Sequence, residues 1–217
     1  MIVGIIDVEG YDFAHEDFLN AAKNDTRFLT IWDQAGDSKL SPTKANPVFK
    51  GAKQFDYGAE IGHVEMTNAI QNSRRVGAPP EWIAKQSSME PGSHGTHVAS
   101  IAAGNSGVCP HAKIAAVLIS LPDAEWEDRR RSFYDSTRIA DAVDYLVAVA
   151  ESEGLPISIN VSLGTNGHAH DGSAPVCRWI DSLLSVSGRA VSIAAGNAGQ
   201  EEGEYEDDYG WVMGRIH

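Results

Sequence analysis

The chain has 217 residues, of which 17 are Lys or Arg and 30 are Asp or Glu, so its formal charge is −13 with neutral histidines. This acidic balance argues against nucleic-acid binding, and no apolar run is long enough to span a membrane. The length favours one domain with its own core. Met1 leads directly into strand-like residues without a basic segment, so no signal peptide is predicted and the compartment stays open.

Strand-like and helix-like segments alternate along the chain. The run Ile2–Asp7 is apolar and ends in a carboxylate, which predicts a buried parallel strand with Asp7 at its carboxyl end. Further strands are predicted at 27–32, 113–120, 156–162 and 190–194, and helices at 63–71, 94–104, 132–153 and 173–186. This alternation predicts an α/β fold, a three-layer sandwich with a mostly parallel central sheet and helices on both faces.

Two regions stand outside this alternation. Residues 35–90 are interpreted as an elaborated insertion, within which 35–60, rich in Gly, Pro, Asn and Lys, are predicted to be a surface loop. Residues 200–217 begin with an acidic run that lacks any core pattern and are predicted to form a solvated tail.

Three segments carry residues suited to catalysis. Asp7 ends the first strand, His94 follows Ser93, a predicted N-cap, at the first turn of a small-residue helix, and Asn197 lies in the glycine-rich turn after the last strand. A carboxylate, an imidazole and an amide at element ends are the parts of a serine hydrolase without its serine. The alternative for His94 and His97 is an ordinary helix start with two core-facing histidines.

These segments resemble the subtilisin-like serine proteases in the order of their motifs. The similarity extends to Gly107–Ile114, which follows the histidine helix, and to Asn160–Gly164, which resembles the family's substrate-binding strand. The segments 31–34, 57–60 and 164–172 are similar to the branch that includes clostridial spore-germination proteases.

The resemblance implies a peptidase domain over residues 1–217, with a peptide or protein as substrate, no cofactor and no metal. Asp7, His94 and Asn197 would be catalytic. The substrate backbone would pair with Ser162, Leu163 and Gly164, and the specificity pocket would be walled by Ala194, Ala195 and Gly196. The family also favours an extracellular location.

The family's nucleophile lies in a Gly-Thr-Ser-x-Ala-x-Pro segment, and no such segment follows Asn197. We therefore expect a domain truncated before the nucleophile and inactive alone, whose partner is the missing C-terminal part. The strand 190–194 would then be an exposed apolar edge through which the chain self-associates. Ser173 precedes Asn197 and would cap the next helix, so it is interpreted as a decoy rather than the nucleophile.

Other interpretations stay open at this point. The chain belongs to a protease, or it is a pseudoprotease or peptide-binding module that never had the serine. An unrelated α/β hydrolase would need a Gly-x-Ser-x-Gly elbow, and that pentapeptide does not occur.

Local features add one departure from the family's pattern and three expectations. Val8 and Glu9 replace the small polar residue and glycine that the family has after its aspartate. A calcium ion at Asp17 is predicted to be absent, because the loop that would complete its ligands is short. The segment His168–Asp171 is interpreted as a polar loop rather than a zinc site. Cys109 and Cys177 are interpreted as thiols rather than a bridge.

Overall fold

The computed structural model describes residues 1–119, 136–163 and 171–196 of the chain. The strands are β1 (Ile2–Asp7), β2 (Phe28–Asp33), β3 (Ala59–Gly62), β4 (Lys113–Leu118), β5 (Ile157–Val161) and β6 (Arg189–Ile193). The helices are α1 (Pro42–Ala45), α2 (His63–Val76), α3 (Pro80–Ile83), α4 (His94–Ala103), α5 (Ser136–Glu153) and α6 (Pro175–Leu184). Short 3-10 turns cover Glu16–Phe18, Pro47–Phe49 and Lys53–Phe55.

The described strands form one sheet in the order β3-β2-β4-β1-β5-β6. Every neighbouring pair is parallel except β2 and β3, which are antiparallel. Strand β1 lies between β4 and β5, and all six of its residues are buried. A continuous apolar strand at the centre of a parallel sheet is covered on both faces, as its composition predicts.

Alternate residues of β1 enter two different cores. Ile2 and Ile6 pack in a cluster that contains residues of α5 such as Leu146, whereas Ile5 packs in a cluster that contains Met66 of α2 and Ala99 of α4. Successive side chains of a strand point to opposite faces, so the helices cover both sides of the sheet. This arrangement confirms the predicted α/β fold with a mostly parallel central sheet.

Residues 35–60 are mostly irregular and exposed or half-exposed, as a surface loop requires, but the prediction missed aromatic side chains that enter the core. Phe49 and Phe55 are almost fully buried, and the Phe49 ring stacks on Tyr145 of α5 with ring centroids 4.9 Å apart. Phe55 meets Trp32 of β2 edge to face. The aromatic side chains bury enough area to hold an otherwise irregular segment against the sheet. The Gly, Pro and Asn content of the segment gives no indication of this packing.

The inward face of α6 also differs from the prediction. Ile180 is buried as expected, but Trp179 is 47 % exposed and donates its indole N–H to Asp144 of α5. The indole ring lies at the rim of the helix pair because its N–H needs a polar partner.

Two further results concern the cysteines and the helices. Cys109 and Cys177 are both free thiols, as interpreted from the sequence. In the part of the chain that the structure describes, no helix combines the length and hydropathy needed to cross a bilayer.

Candidate active site

Asp7 lies at the carboxyl end of the central strand, where its carboxylate is fully buried. Its Oδ1 accepts hydrogen bonds from the backbone N–H groups of Val8, at 2.8 Å, and Glu9, at 3.0 Å. Its Oδ2 faces Nδ1 of His94 at 2.8 Å. The two backbone donors fix the plane of the carboxylate, so Oδ2 is directed at the imidazole.

His94 is the first residue of α4, and its side chain is about half exposed at 53 %. Because the buried carboxylate accepts from Nδ1, that nitrogen carries a proton, and Nε2 is the basic nitrogen of the neutral ring. The pair therefore has the arrangement of a base whose tautomer is set by an acid. The expected hydrogen bond between Asp7 and His94 is present, and a helix start with two core-facing histidines does not describe His94.

The environment of Asp7 has opposing effects on its pKa. Burial raises the pKa above its ordinary value, and the hydrogen bonds from Glu9, His94 and Val8 partly oppose that rise. Below the site, Tyr11 donates its hydroxyl to the carbonyl of Val117 at 2.8 Å, and burial raises the pKa of this phenol well above its usual range. A neutral Tyr11 therefore adds no second charge beneath Asp7.

The start of α4 is fastened to residues 9–12 by direct contacts. The Thr96 hydroxyl accepts from Asp12 N–H at 2.8 Å, and the Ser93 hydroxyl donates to the Gly10 carbonyl. A Cβ atom at Gly95 would lie 2.9 Å from the Gly10 carbonyl oxygen, so helix and loop touch backbone to backbone. Ser93 occupies the N-cap position, as predicted, but its side chain makes no capping hydrogen bond.

The segment leading into α4 is anchored as well. The Gln86 side chain accepts from Tyr11 N–H at 2.9 Å and donates to the Tyr11 carbonyl at 2.7 Å. Ser87 donates its hydroxyl to Asp33, which is buried at the end of β2, at 2.7 Å. The polar pattern of 84–93 gave no sign of these contacts, because both partners lie more than fifty residues away in sequence.

The described residues assigned to substrate binding lie at the carboxyl ends of β5, which neighbours β1, and of β6, which neighbours β5. Ser162 follows β5, donates its N–H to the Ile6 carbonyl and accepts from the Asn160 amide at 2.6 Å. Leu163 packs against the core. Ala194 follows β6 and donates its N–H to the Val161 carbonyl.

Ala194, Ala195 and Gly196 are all exposed. They lie at the same end of the sheet as Asp7, because β1, β5 and β6 are consecutive parallel strands whose carboxyl ends point the same way. Gly164 and Asn197 lie outside the described residues, and their assigned roles stay predictions.

The carboxylate of Asp17 is used in contacts within the protein. Ser100 of α4 donates its hydroxyl to Asp17 Oδ2, and Ser106 donates its N–H to Oδ1 at 3.2 Å. These hydrogen bonds lower the pKa of Asp17 despite partial desolvation. Across the described ranges, no cluster of three or more His, Cys, Asp or Glu is suited to a metal ion. His168 and His170 fall outside those ranges.

Ser173 lies just before α6 and donates its N–H to Asp171 Oδ1 at 2.9 Å. The N-cap of α6 is Ala174, without a side-chain capping bond, so the expectation that Ser173 caps this helix was wrong. Pro175 favours a helix that begins at residue 175, because proline at the first helical position has no N–H to satisfy, and this places the N-cap at Ala174 rather than Ser173.

Sequence reasoning missed the part played by Glu9. Its carboxylate accepts a hydrogen bond from the backbone N–H of His94 at 2.6 Å, across 85 residues of sequence. The available signal was the replacement of the usual small residues after Asp7 by Val8 and Glu9.

Comparisons with known proteins identify the family and the fold. The family model described as the subtilase family matches residues 1–214. The solved structure of the CspB protease of Clostridium perfringens superposes with a TM-score of 0.68 at 24 % sequence identity, over 92 % of this chain. The chain spans 37 % of the length of that protease, and at this identity the likeness shows the shared fold.

Proposed function

The chain belongs to the subtilase family, and from that premise we propose that it forms part of the catalytic domain of a serine endopeptidase. The observation that carries the proposal is the 2.8 Å contact between the buried Asp7 carboxylate and Nδ1 of His94. Family membership gives this pair its meaning, since an aspartate and a histidine in contact are also found in structural networks.

In the proposed reaction His94 is the general base. Nε2 takes the hydroxyl proton of a serine as the serine oxygen attacks the carbonyl carbon of the peptide bond. Asp7 stabilises the resulting imidazolium and keeps the ring oriented. His94 then gives the proton to the departing amine, which leaves the acyl group on the serine. Water next attacks this ester, with His94 taking a proton from the water and returning it to the serine oxygen. Asn197 is proposed to donate a hydrogen bond to the tetrahedral oxyanion, a contribution of roughly a hundredfold or more in rate.

The serine is proposed to lie on a segment outside these 217 residues, because no Gly-Thr-Ser-x-Ala segment follows Asn197. The 217-residue chain would then be inactive until that segment completes the site. The substrate would pair with residues 162–164 as an added strand, and residues 194–196 would wall the specificity pocket. The exposure of 194–196 and their place beside β5 support this assignment.

A fluorophosphonate probe tests the proposal, because it labels only an activated serine. The 217-residue chain should not be labelled, whereas the product of the complete gene should be labelled at one serine. His94→Ala in the complete protein should abolish labelling and lower kcat by about 10⁴ or more. Labelling of the 217-residue chain at Ser173, lost in His94→Ala, would contradict the proposed placement of the nucleophile.

The second candidate function is a peptide-binding module that never had the serine. A complete gene without a Gly-Thr-Ser-x-Ala segment, combined with measurable binding of extended peptides, would favour it over the enzyme. One observation favours this candidate. The 217 residues contain the aspartate and histidine motifs and the proposed binding strand, but no nucleophile segment.

A further inference from the structure

Glu9 contacts both members of the Asp7–His94 pair. Its backbone N–H donates to Asp7 Oδ1 at 3.0 Å, and its side-chain Oε2 accepts from the backbone N–H of His94 at 2.6 Å. One residue therefore fixes the orientation of the acid and also holds the backbone of the base.

Helix α4 has an unusual need for such a contact. The first turn of a helix leaves its backbone N–H groups without partners inside the helix, and the N-cap side chain ordinarily accepts from one of them. Ser93 does not serve here, because its hydroxyl is turned to the Gly10 carbonyl and lies 2.7 Å from the Thr96 hydroxyl. From a distant part of the sequence, the carboxylate of Glu9 accepts from another of these groups, the N–H of His94, the first helical residue.

A carboxylate is a strong acceptor at this position. A charged acceptor makes shorter and stronger hydrogen bonds than a neutral one, and a negative charge at the start of a helix is favoured by the helix dipole. The contact holds His94 by its own backbone N–H, so it acts on the point from which the imidazole side chain extends. A 2.8 Å hydrogen bond to a rigid, buried carboxylate tolerates little displacement of that point.

We propose that Glu9 is a positioning residue that clamps the backbone of His94 so that its Nδ1 stays in reach of Asp7. The catalytic consequence rests on the proposed function, whereas the clamp itself does not. Glu9 is exposed, so its replacement leaves the core intact. Any change in the His94 backbone or in activity then reports the loss of this contact.

The first test is spectroscopic and needs no activity. In the full chain, Glu9→Ala should speed hydrogen exchange of the His94 amide about tenfold and move its proton resonance upfield, because the amide loses its acceptor. Glu9→Gln keeps an oxygen at the same reach and should leave both close to the wild-type values. Glu16→Ala is the matched control, since it removes another exposed carboxylate, one paired with Lys23, and should change neither.

The second test is kinetic and uses the product of the complete gene. Glu9→Ala should lower kcat about tenfold with KM within twofold, whereas Glu9→Gln should recover kcat to within about threefold. This split follows because the clamp orients the base and does not touch substrate.

The outcomes separate the two proposals. An unchanged His94 amide in Glu9→Ala, or a Glu9→Gln enzyme as slow as Glu9→Ala, would overturn the positioning role. A complete protein that hydrolyses no peptide but shows the amide change would overturn the proposed function and support the clamp.

Discussion

Gly95→Ala tests whether the backbone contact between α4 and residues 9–10 sets the geometry of the site. The new Cβ would lie 2.9 Å from the Gly10 carbonyl oxygen and 3.0 Å from the Tyr11 ring, and closer still to the Glu9 carbonyl oxygen. Backbone atoms cannot turn away as a flexible side chain can. The helix start must therefore move by about 1 Å from the loop, or the loop must move from Asp7.

The cost of this clash can be weighed against the helix-forming gain. Overpacking costs about 1–3 kcal/mol, and replacing glycine by alanine inside a helix returns at most about 1 kcal/mol. We expect a net loss of roughly 1–2 kcal/mol in the free energy of unfolding, which lowers Tm by about 2–8 °C for a chain of this size. A 1 Å displacement of His94 would also reduce kcat/KM about a hundredfold in the complete enzyme.

Thermal unfolding followed by circular dichroism, together with urea titration, measures the loss. Ile101→Ala is the control, because Ile101 lies on the same helix but is 70 % exposed, and it should change stability by less than about 0.5 kcal/mol. A Gly95→Ala protein that melts at the wild-type temperature and keeps the His94 amide resonance unshifted would refute the argument.

Three further predictions concern charge and association. Burial raises the pKa of Glu60, so this group should lower the unfolding free energy as pH rises from about 4.5 through its native pKa, and urea titrations of Glu60→Gln should show a smaller fall than wild type. Hydrogen bonds from Ser100 and Ser106 hold the pKa of Asp17 below its ordinary value. Asp17→Asn should therefore be less stable than wild type at pH 7 by less than about 1 kcal/mol, because solvent screens this carboxylate, and the difference should shrink in the same assay as pH falls below the ordinary aspartate pKa of 3.8. The proposed self-association through β6 should weaken in Ile193→Lys, since Ile193 is 60 % exposed, and sedimentation velocity would contradict the proposal if the species distribution were unchanged.

The central strands could be predicted because their signals are local, whereas the Asp7–His94 pair was predicted from the resemblance of the ordered motifs to those of the subtilisin-like proteases. A continuous apolar run such as Ile2–Asp7 has few structural alternatives, and a small-residue helix after a histidine places that residue at a helix start. The packing of Phe49 and Phe55 could not be predicted, since it depends on Tyr145 and Trp32 from distant elements.

The same limit explains why the site was only partly predicted. A glutamate that follows a strand has many uses, and nothing within a few residues of Glu9 indicates that its carboxylate meets a backbone N–H 85 positions later. Ser93 takes the predicted N-cap position, but nothing nearby in sequence shows that its hydroxyl donates to the Gly10 carbonyl and makes no capping bond.

The central place of β1 has a consequence for biosynthesis. This strand leaves the ribosome before both of its neighbours, β4 and β5, and β5 ends only at Val161. At about 5–20 residues per second, some 8–30 s pass before the second neighbour has been made. Until β4 has been made, Ile2, Val3, Ile5 and Ile6 have no strand to pair with, and until β5 follows, one side of β1 stays unpaired. Newly made chains should therefore depend on a holding chaperone at this strand, and a slower ribosome should lengthen that dependence.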